Sequence, residues 1–140
     1  MIECDAFLGG KKLVPNDEVT YRPAAYGIIV KDSQVLLVSN RRTGKYSLPG
    51  GGGIVGEKLE DVLRLEVREE TGIEIQIDDF IFFRETLFYY DPLNLAFHNF
   101  SFIYRCQPLS LKLLADDEVD DAEVERLLLA TDFSACAEEA

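Results

Sequence analysis

The sequence predicts an α/β fold, on three observations. Short runs rich in β-branched and aromatic residues recur along the chain and read as strands. One stretch, Glu57 to Thr71, carries its apolar residues at helical rather than alternating spacing. The 140 residues, 47% apolar and 29% charged, have the size and composition of one globular domain spanning 1–140.

Met1 to Val19 reads as a short strand pair or an irregular arm, with turns at Gly9–Lys12 and Pro15–Asp17. Arg22-Pro23 leads into Ala24–Val30, a strand, and Lys31–Gln34 is a hairpin-type turn. Val35–Val38 is continuously apolar, which predicts burial on both faces. Asn40 to Lys45 is a polar loop with three cations, either a solubilising loop or one that brings Arg41, Arg42 or Lys45 to an anion. The helix of Glu57–Thr71 stops at Gly72, and Glu74–Ile77 alternates as a strand. Phe80–Tyr90 is apolar and aromatic and reads as a long or broken strand, and Asp91–Asn94 as a turn. Ala96–Cys106 is the returning strand. The aromatic density of these two strands predicts core plus one sheet face; the alternative is a cleft wall that stacks a nucleobase, or a dimer interface. Leu109–Leu114 reads as a last strand, Asp116–Asp121 as a solvated acidic loop, Ala122–Ala130 as a helix or short strand, and Phe133–Ala140 as a terminal helical turn.

Composition excludes several classes of function. A net charge of −12 argues against a nucleic-acid duplex as partner. No apolar run approaches the roughly 20 residues that span a bilayer, so no membrane role is expected. The first residues lack the basic-then-apolar pattern of a signal peptide, and Cys4, Cys106 and Cys136 form no CxxC pair; both point to reduced thiols in the cytoplasm. A single histidine, His98, leaves no imidazole pair for a metal and reads as a structural or rim residue.

Chemistry is concentrated between Leu48 and Ile73. Pro49 is followed by four glycines, Gly50 to Gly53, which cost backbone entropy and supply no packing. Such a run makes sense where the chain bends sharply and brings its backbone close to a ligand. Glu66, Glu69 and Glu70 then share one helix face, within an arc of roughly 100°. That face also carries Leu59, Val62 and Leu63, so it is expected to turn toward the protein. Three carboxylates so close are either solvated or hold a cation, and oxygen-only donors suit Mg²⁺ or Mn²⁺.

The combination resembles the Nudix box, the signature of the Nudix hydrolases: Gly, five residues, Glu, seven residues, Arg-Glu, an apolar residue, any residue, Glu-Glu, any residue, Gly and an apolar residue. Gly51, Glu57, Glu66, Val67, Glu69, Glu70, Gly72 and Ile73 occupy its positions, and Leu48-Pro49-Gly50 precedes it as in the family. The box arginine is replaced by Leu65. The resemblance implies a Nudix α/β/α sandwich, with a mixed, partly curled β-sheet and the box as loop–helix–loop. It implies a Mg²⁺- or Mn²⁺-dependent pyrophosphohydrolase that cleaves the diphosphate of a nucleoside diphosphate linked to another group, such as a nucleotide-sugar, ADP-ribose-like compound, dinucleotide or NTP. Glu69 and Glu70 would be the main metal ligands, assisted by the Gly50 carbonyl. Glu66 would be a further ligand or help deprotonate water, and Glu57 would serve a second metal. Arg41, Arg42, Lys45, Gly51 and Gly52 are the candidates for substrate binding, and Glu118 and Glu123 for a further carboxylate outside the box. Homodimers are common in the family, and the aromatic strands could support one. Because leucine cannot pair with a glutamate, Leu65 also motivates a second reading: a Nudix-fold nucleotide-binding or regulatory protein with weak or no turnover, unless a neighbouring cation takes over the arginine's role.

Overall fold

The computed structural model describes residues 1–41 and 44–109, together with the backbone of 124–130. Its strands are β1 (Ile2–Ala6), β2 (Lys11–Val14), β3 (Val19–Lys31), β4 (Gln34–Asn40), β5 (Tyr46–Ser47), β6 (Gly50–Gly52), β7 (Ile75–Tyr90), β8 (Leu95–Pro108) and β9 (Val124–Ala130), with one helix, α1 (Leu59–Thr71), among the described residues. The strand order is β2-β1-β7-β8-β3-β4-β5, with β6 on β3 and β9 on β4. The sheet is mixed: β1 runs parallel to β7 and β3 parallel to β8, while the other pairings are antiparallel.

The N-terminal stretch is the strand pair rather than the arm. Lys11 and Lys12 belong to β2, and the turn shifts to Phe7–Gly10. The turn expected at Lys31–Gln34 is a two-residue hairpin. Asp32 and Ser33 both take positive φ, 52° and 62°, the combination that matches the twist of the flanking strands. β4 is buried from Val35 to Ser39, as its continuous apolar run implied. Glu74–Ile77 and Phe80–Tyr90 are not separate strands. They fuse into β7, which keeps its pairing with β8 through register shifts between Ile77 and Asp79 and between Phe80 and Phe82. Val124–Ala130 is a strand, while the strand expected over 109–114, beyond Leu109 itself, the acidic loop over 116–121 and the helical turn over 133–140 lie outside the described residues.

α1 packs on the sheet through Leu63 and Val67, which close a core with Ala25, Ile29, Leu36, Ile75 and Cys106. Full burial of such a side chain contributes about 1.5–3 kcal/mol, so this face alone fixes the helix on β3. Glu60 and Asp61 in the first turn favour the positive end of the helix dipole. The helix ends where expected: Gly72 is left-handed (φ 78°), and its N–H donates to the Arg68 carbonyl at 2.8 Å.

The aromatic run is where expectation and structure part. The middle of β7, Asp79 to Glu85, is exposed along its whole length rather than buried on one face. Phe80 and Phe83 are 53% and 56% exposed and lean on Phe102 across the ribbon. Neither α1 nor the N-terminal hairpin reaches far enough along the strand to cover them.

Cys106 has a consequence for pH. Burial pushes its thiol up to about 12. The folded state therefore keeps its proton well above pH 9, where the unfolded chain has begun to release it, and stability falls as pH rises from there toward 12. This group sets at most about 1.4 kcal/mol per pH unit. Urea unfolding at pH 8 and pH 10 is expected to show a smaller alkaline loss in Cys106→Ala than in the unaltered protein. Equal losses would remove the thiol as the cause.

Candidate active site

The site lies where the sheet splits. β3 and β4 pair only through Val30–Val35 and Lys31–Gln34. Beyond that point β4 diverges toward β5, and a cavity of about 330 Å³ opens in the fork. Strand register orders its walls. β6 lies against Ala24–Tyr26 of β3; one step along, Arg22 is level with Asn99; further on, Thr20 is level with Phe97, itself opposite Phe88 of β7. From Tyr26 to Thr20 is roughly 20 Å at ~3.3 Å per residue. The cavity thus runs from a glycine and carboxylate end, past an arginine, to an aromatic end.

The first end is built by the glycine loop against α1. The Gly50 N–H donates to Glu70 Oε1 at 2.8 Å, and Glu70 is only 6% exposed. Gly51 lies so close to Glu66 that a Cβ there would stand 2.9 Å from the carboxyl carbon. Gly52 is equally restricted by Arg22, whose Nε would be 2.7 Å from such an atom. At Gly50 the obstacles are backbone atoms of Ala25 and Tyr26, while at Gly51 and Gly52 an added Cβ would displace the Glu66 and Arg22 side chains: loop backbone, two carboxylates and a guanidinium crowd one space.

Of the expected site residues, Gly50, Gly51, Gly52, Glu66, Glu70 and Lys45 line the cavity. Glu69 lies half-buried on α1 outside that lining, and Glu57 is exposed, its Oε1 accepting the Ile54 N–H at 2.9 Å. Lys45 does reach the cavity, but its ammonium is bonded to the Phe7 carbonyl and stands 4.9 Å from the centre of the Phe7 ring. Arg41 is exposed and outside the lining. Arg42, Glu118 and Glu123 lie outside the described residues. His98 is a surface residue, paired with Glu85 at 2.5 Å and stacked on Phe100.

Leu65 is 42% exposed, so its position turns away from the cavity. The two arginines nearest in sequence are engaged elsewhere. Arg64 pairs with Glu60 and Asp61, and Arg68 with Glu74, whose carboxyl it holds below the usual range. Backbone amides of the loop anchor Glu57 and Glu70 instead.

Among the polar residues of the cavity that sequence reasoning did not single out, Arg22 and Asn99 form a pair. Arg22 Nη1 donates to Asn99 Oδ1 at 2.8 Å, and its guanidinium lies 5.7 Å from the centre of the Phe97 ring. Asn99, 2% exposed, in turn donates to Ser101 Oγ at 2.8 Å. A lone arginine before a proline carries no motif, and its partner stands 77 residues away.

A divalent cation fits the donor set: carboxylate oxygens from Glu66 and Glu70 beside a loop whose backbone is kept bare by close approach. As they stand, no three His, Cys, Asp or Glu side chains among the described residues group tightly enough to enclose an ion.

Fold and site together define a class of domain in which a carboxylate-bearing helix backs a glycine loop at the mouth of a split, mixed sheet. The NUDIX domain family matches residues 20–137, and the chain belongs to that family. An ADP-ribose pyrophosphatase of Methanocaldococcus jannaschii is 40% identical over 53 residues, a segment that is 36% of this chain and 31% of that protein. The match thus spans about a third of the relative's length. Among solved structures, a putative nudix hydrolase family member from Chromobacterium violaceum superposes with a TM-score of 0.65 at 26% identity, covering 90% of this chain and 73% of that one. A UDP-X diphosphatase superposes with a TM-score of 0.60 at 21% identity, covering 80% and 51%. The mixed, unclosed sheet with few helices is the Nudix α/β fold that the box implied.

Proposed function

We propose that the protein is a Mg²⁺-dependent pyrophosphohydrolase acting on a nucleoside diphosphate linked to a further group. The observation that carries this reading is the convergence of Glu66, Glu70 and Arg22 on the bare backbone of Gly50–Gly52. The relative named an ADP-ribose pyrophosphatase and the neighbour named a UDP-X diphosphatase support it.

Glu66, Glu69 and Glu70, with the Gly50 carbonyl and Glu57, would hold the divalent ion. When bound, such an ion neutralises phosphate oxygens and acidifies a water. The chain's own residues do the rest. Arg22, fixed by Asn99, meets the non-bridging oxygens and offsets the charge that builds on them. Glu66, which lines the same end, would take the proton of the attacking water. The walls of the fork hold the substrate in line, which converts binding into rate. Local cations thereby make an anion site in a chain of net charge −12. Cys4 and Cys106 are free thiols, in keeping with a cytoplasmic enzyme.

Incubation with Mg²⁺ and ADP-ribose, NADH, dinucleoside polyphosphates, nucleotide sugars and (d)NTPs is the test. The expected result is chelator-sensitive cleavage of at least one compound to a nucleoside monophosphate and a phosphorylated product. Absence of turnover across the panel, with nucleotide binding retained, would establish instead the second reading, a binding or regulatory protein. That reading is motivated by Leu65. Because Leu65 is exposed and loop amides already anchor Glu57 and Glu70, Leu65→Arg is expected to change neither the fold, by more than about 0.5 kcal/mol, nor kcat appreciably. A rise of tenfold or more would show that the arginine's loss had weakened the site.

A further inference from the structure

The aromatic end of the cavity is not made by the family's domain alone. Phe7, in the turn of the β1–β2 hairpin, lines it, yet residues 1–19 precede the segment that matches the family. The hairpin pairs with β7 at Asp5–Phe88 and Ala6–Tyr89, and its Cys4 and Val14 pack with Tyr89 and Ala96. Its tip is held firmly. The Phe7 N–H donates to the Tyr89 carbonyl at 2.8 Å, the Leu8 N–H donates to Asp91 Oδ2 at 2.8 Å, and the Lys45 ammonium donates to the Phe7 carbonyl. The Phe7 ring is thereby set edge-on to Tyr90 at 5.2 Å and tilted to Phe88 at 5.7 Å. Three backbone anchors on two successive residues are more than a half-buried side chain needs for its own sake.

A second observation lies in the same cavity. Ser39, on the β4 wall, is 2% exposed, and its Oγ has no hydrogen-bond partner among the described residues. A buried hydroxyl left unpaired is uncommon and costs about 1–3 kcal/mol. Ser39 and its neighbour Asn40 both line the cavity, and the Asn40 amide donates to the hydroxyl of Tyr90 on the aromatic side at 3.1 Å. An apolar ring edge and an unpaired hydroxyl together suit a flat heteroaromatic ring with polar atoms on its rim.

We infer that Phe7 is a specificity-determining residue: the N-terminal hairpin supplies the stacking wall, and Ser39 a rim contact, that select a diphosphate carrying a nucleobase over one carrying only a sugar or alkyl group. This rests on the functional reading above and assigns the cavity's two ends. The base lies against Phe7, and the diphosphate lies between Arg22 and the glycine loop.

The test compares two ligands that differ only in the base, adenosine 5′-monophosphate and ribose 5-phosphate, by calorimetric titration. Because it reads binding, it is decided even if the protein hydrolyses nothing. The unaltered protein is expected to bind the nucleotide about tenfold or more tighter than the sugar phosphate, the scale of one base–aromatic stack. Phe7→Ala is expected to remove most of that difference, with the affinity for ribose 5-phosphate within about twofold; Phe7→Tyr is expected to retain it. Phe7→Leu, which fills the space without a π-face, guards against collapse of the turn and is expected to behave as the alanine variant. Ser39→Ala is expected to weaken nucleotide binding alone. Equal loss for both ligands in the two apolar variants, an undiminished preference in Phe7→Leu, or no preference in the unaltered protein would overturn the assignment.

Discussion

Glu70→Gln is expected to lower metal-dependent turnover by at least about a hundredfold while leaving the fold intact, the scale on which groups that hold or orient a catalytic ion act. The two halves of this expectation have separate causes. Glu70 Oε1 accepts the Gly50 N–H, and glutamine offers an oxygen in the same place, so the loop stays tied to α1. What is lost is the negative charge on one of the two carboxylates that, among the described residues, reach the cavity. The check is kcat at saturating Mg²⁺ together with the thermal midpoint. A rate within a few-fold of the unaltered enzyme would remove Glu70 from the metal assignment. A large fall in the midpoint would show that the charge itself, rather than the acceptor, holds the loop.

Gly50→Ala is expected to cost about 3 kcal/mol or more of stability, at the upper end for a single substitution. Gly50 sits at φ 144°, and a Cβ there would lie inside the Ala25 carbonyl oxygen and 2.7 Å from the Tyr26 Cα. Both obstacles are backbone, and neither yields without unpairing β6 from β3. Gly56 separates the two components. Its φ of 96° is also unfavourable for alanine, but no atom stands within 4 Å of an added Cβ. Gly56→Ala therefore measures the torsional cost alone, about 1–3 kcal/mol. Urea unfolding of both variants decides the matter. If Gly50→Ala is as stable as Gly56→Ala, the loop has freedom to shift and the close approach is not a constraint.

These two residues were legible because their constraint is local. Four consecutive glycines before a helix with carboxylates at three- and four-residue spacing announce both the loop and the face it meets, and α1 begins and ends within two residues of its expected bounds. The hairpin at Asp32-Ser33 was legible for the same reason. What the chain does not announce is pairing at a distance. β3 and β8 run parallel over eleven residue pairs, and that register brings Arg22 to Asn99 and Phe97; no periodicity within either strand encodes it. Phe7 reaches the cavity only because the hairpin docks beside β7. Conversely, Arg41 carries charge in a suggestive place and yet lies outside the cavity lining, since a loop's composition says nothing of its direction. The aromatic run of β7 misled for a related reason. Apolar content predicts burial only where another element lies opposite, and over Asp79–Glu85 none among the described residues does.

That bare ribbon bears on how copies of the molecule behave toward one another in solution. Phe80, Ile81, Phe82 and Phe83 present a contact-range attraction, while a net charge of −12 presents a repulsion of longer reach. The reach of the repulsion is set by the solvent: about 10 Å at 0.1 M salt, about 3 Å at 1 M. Ionic strength is therefore expected to act as a valve: copies should stay apart in dilute buffer, and a concentrated salting-out anion such as sulfate should both withdraw the barrier and strengthen the attraction behind it, which sedimentation at low and high salt would read.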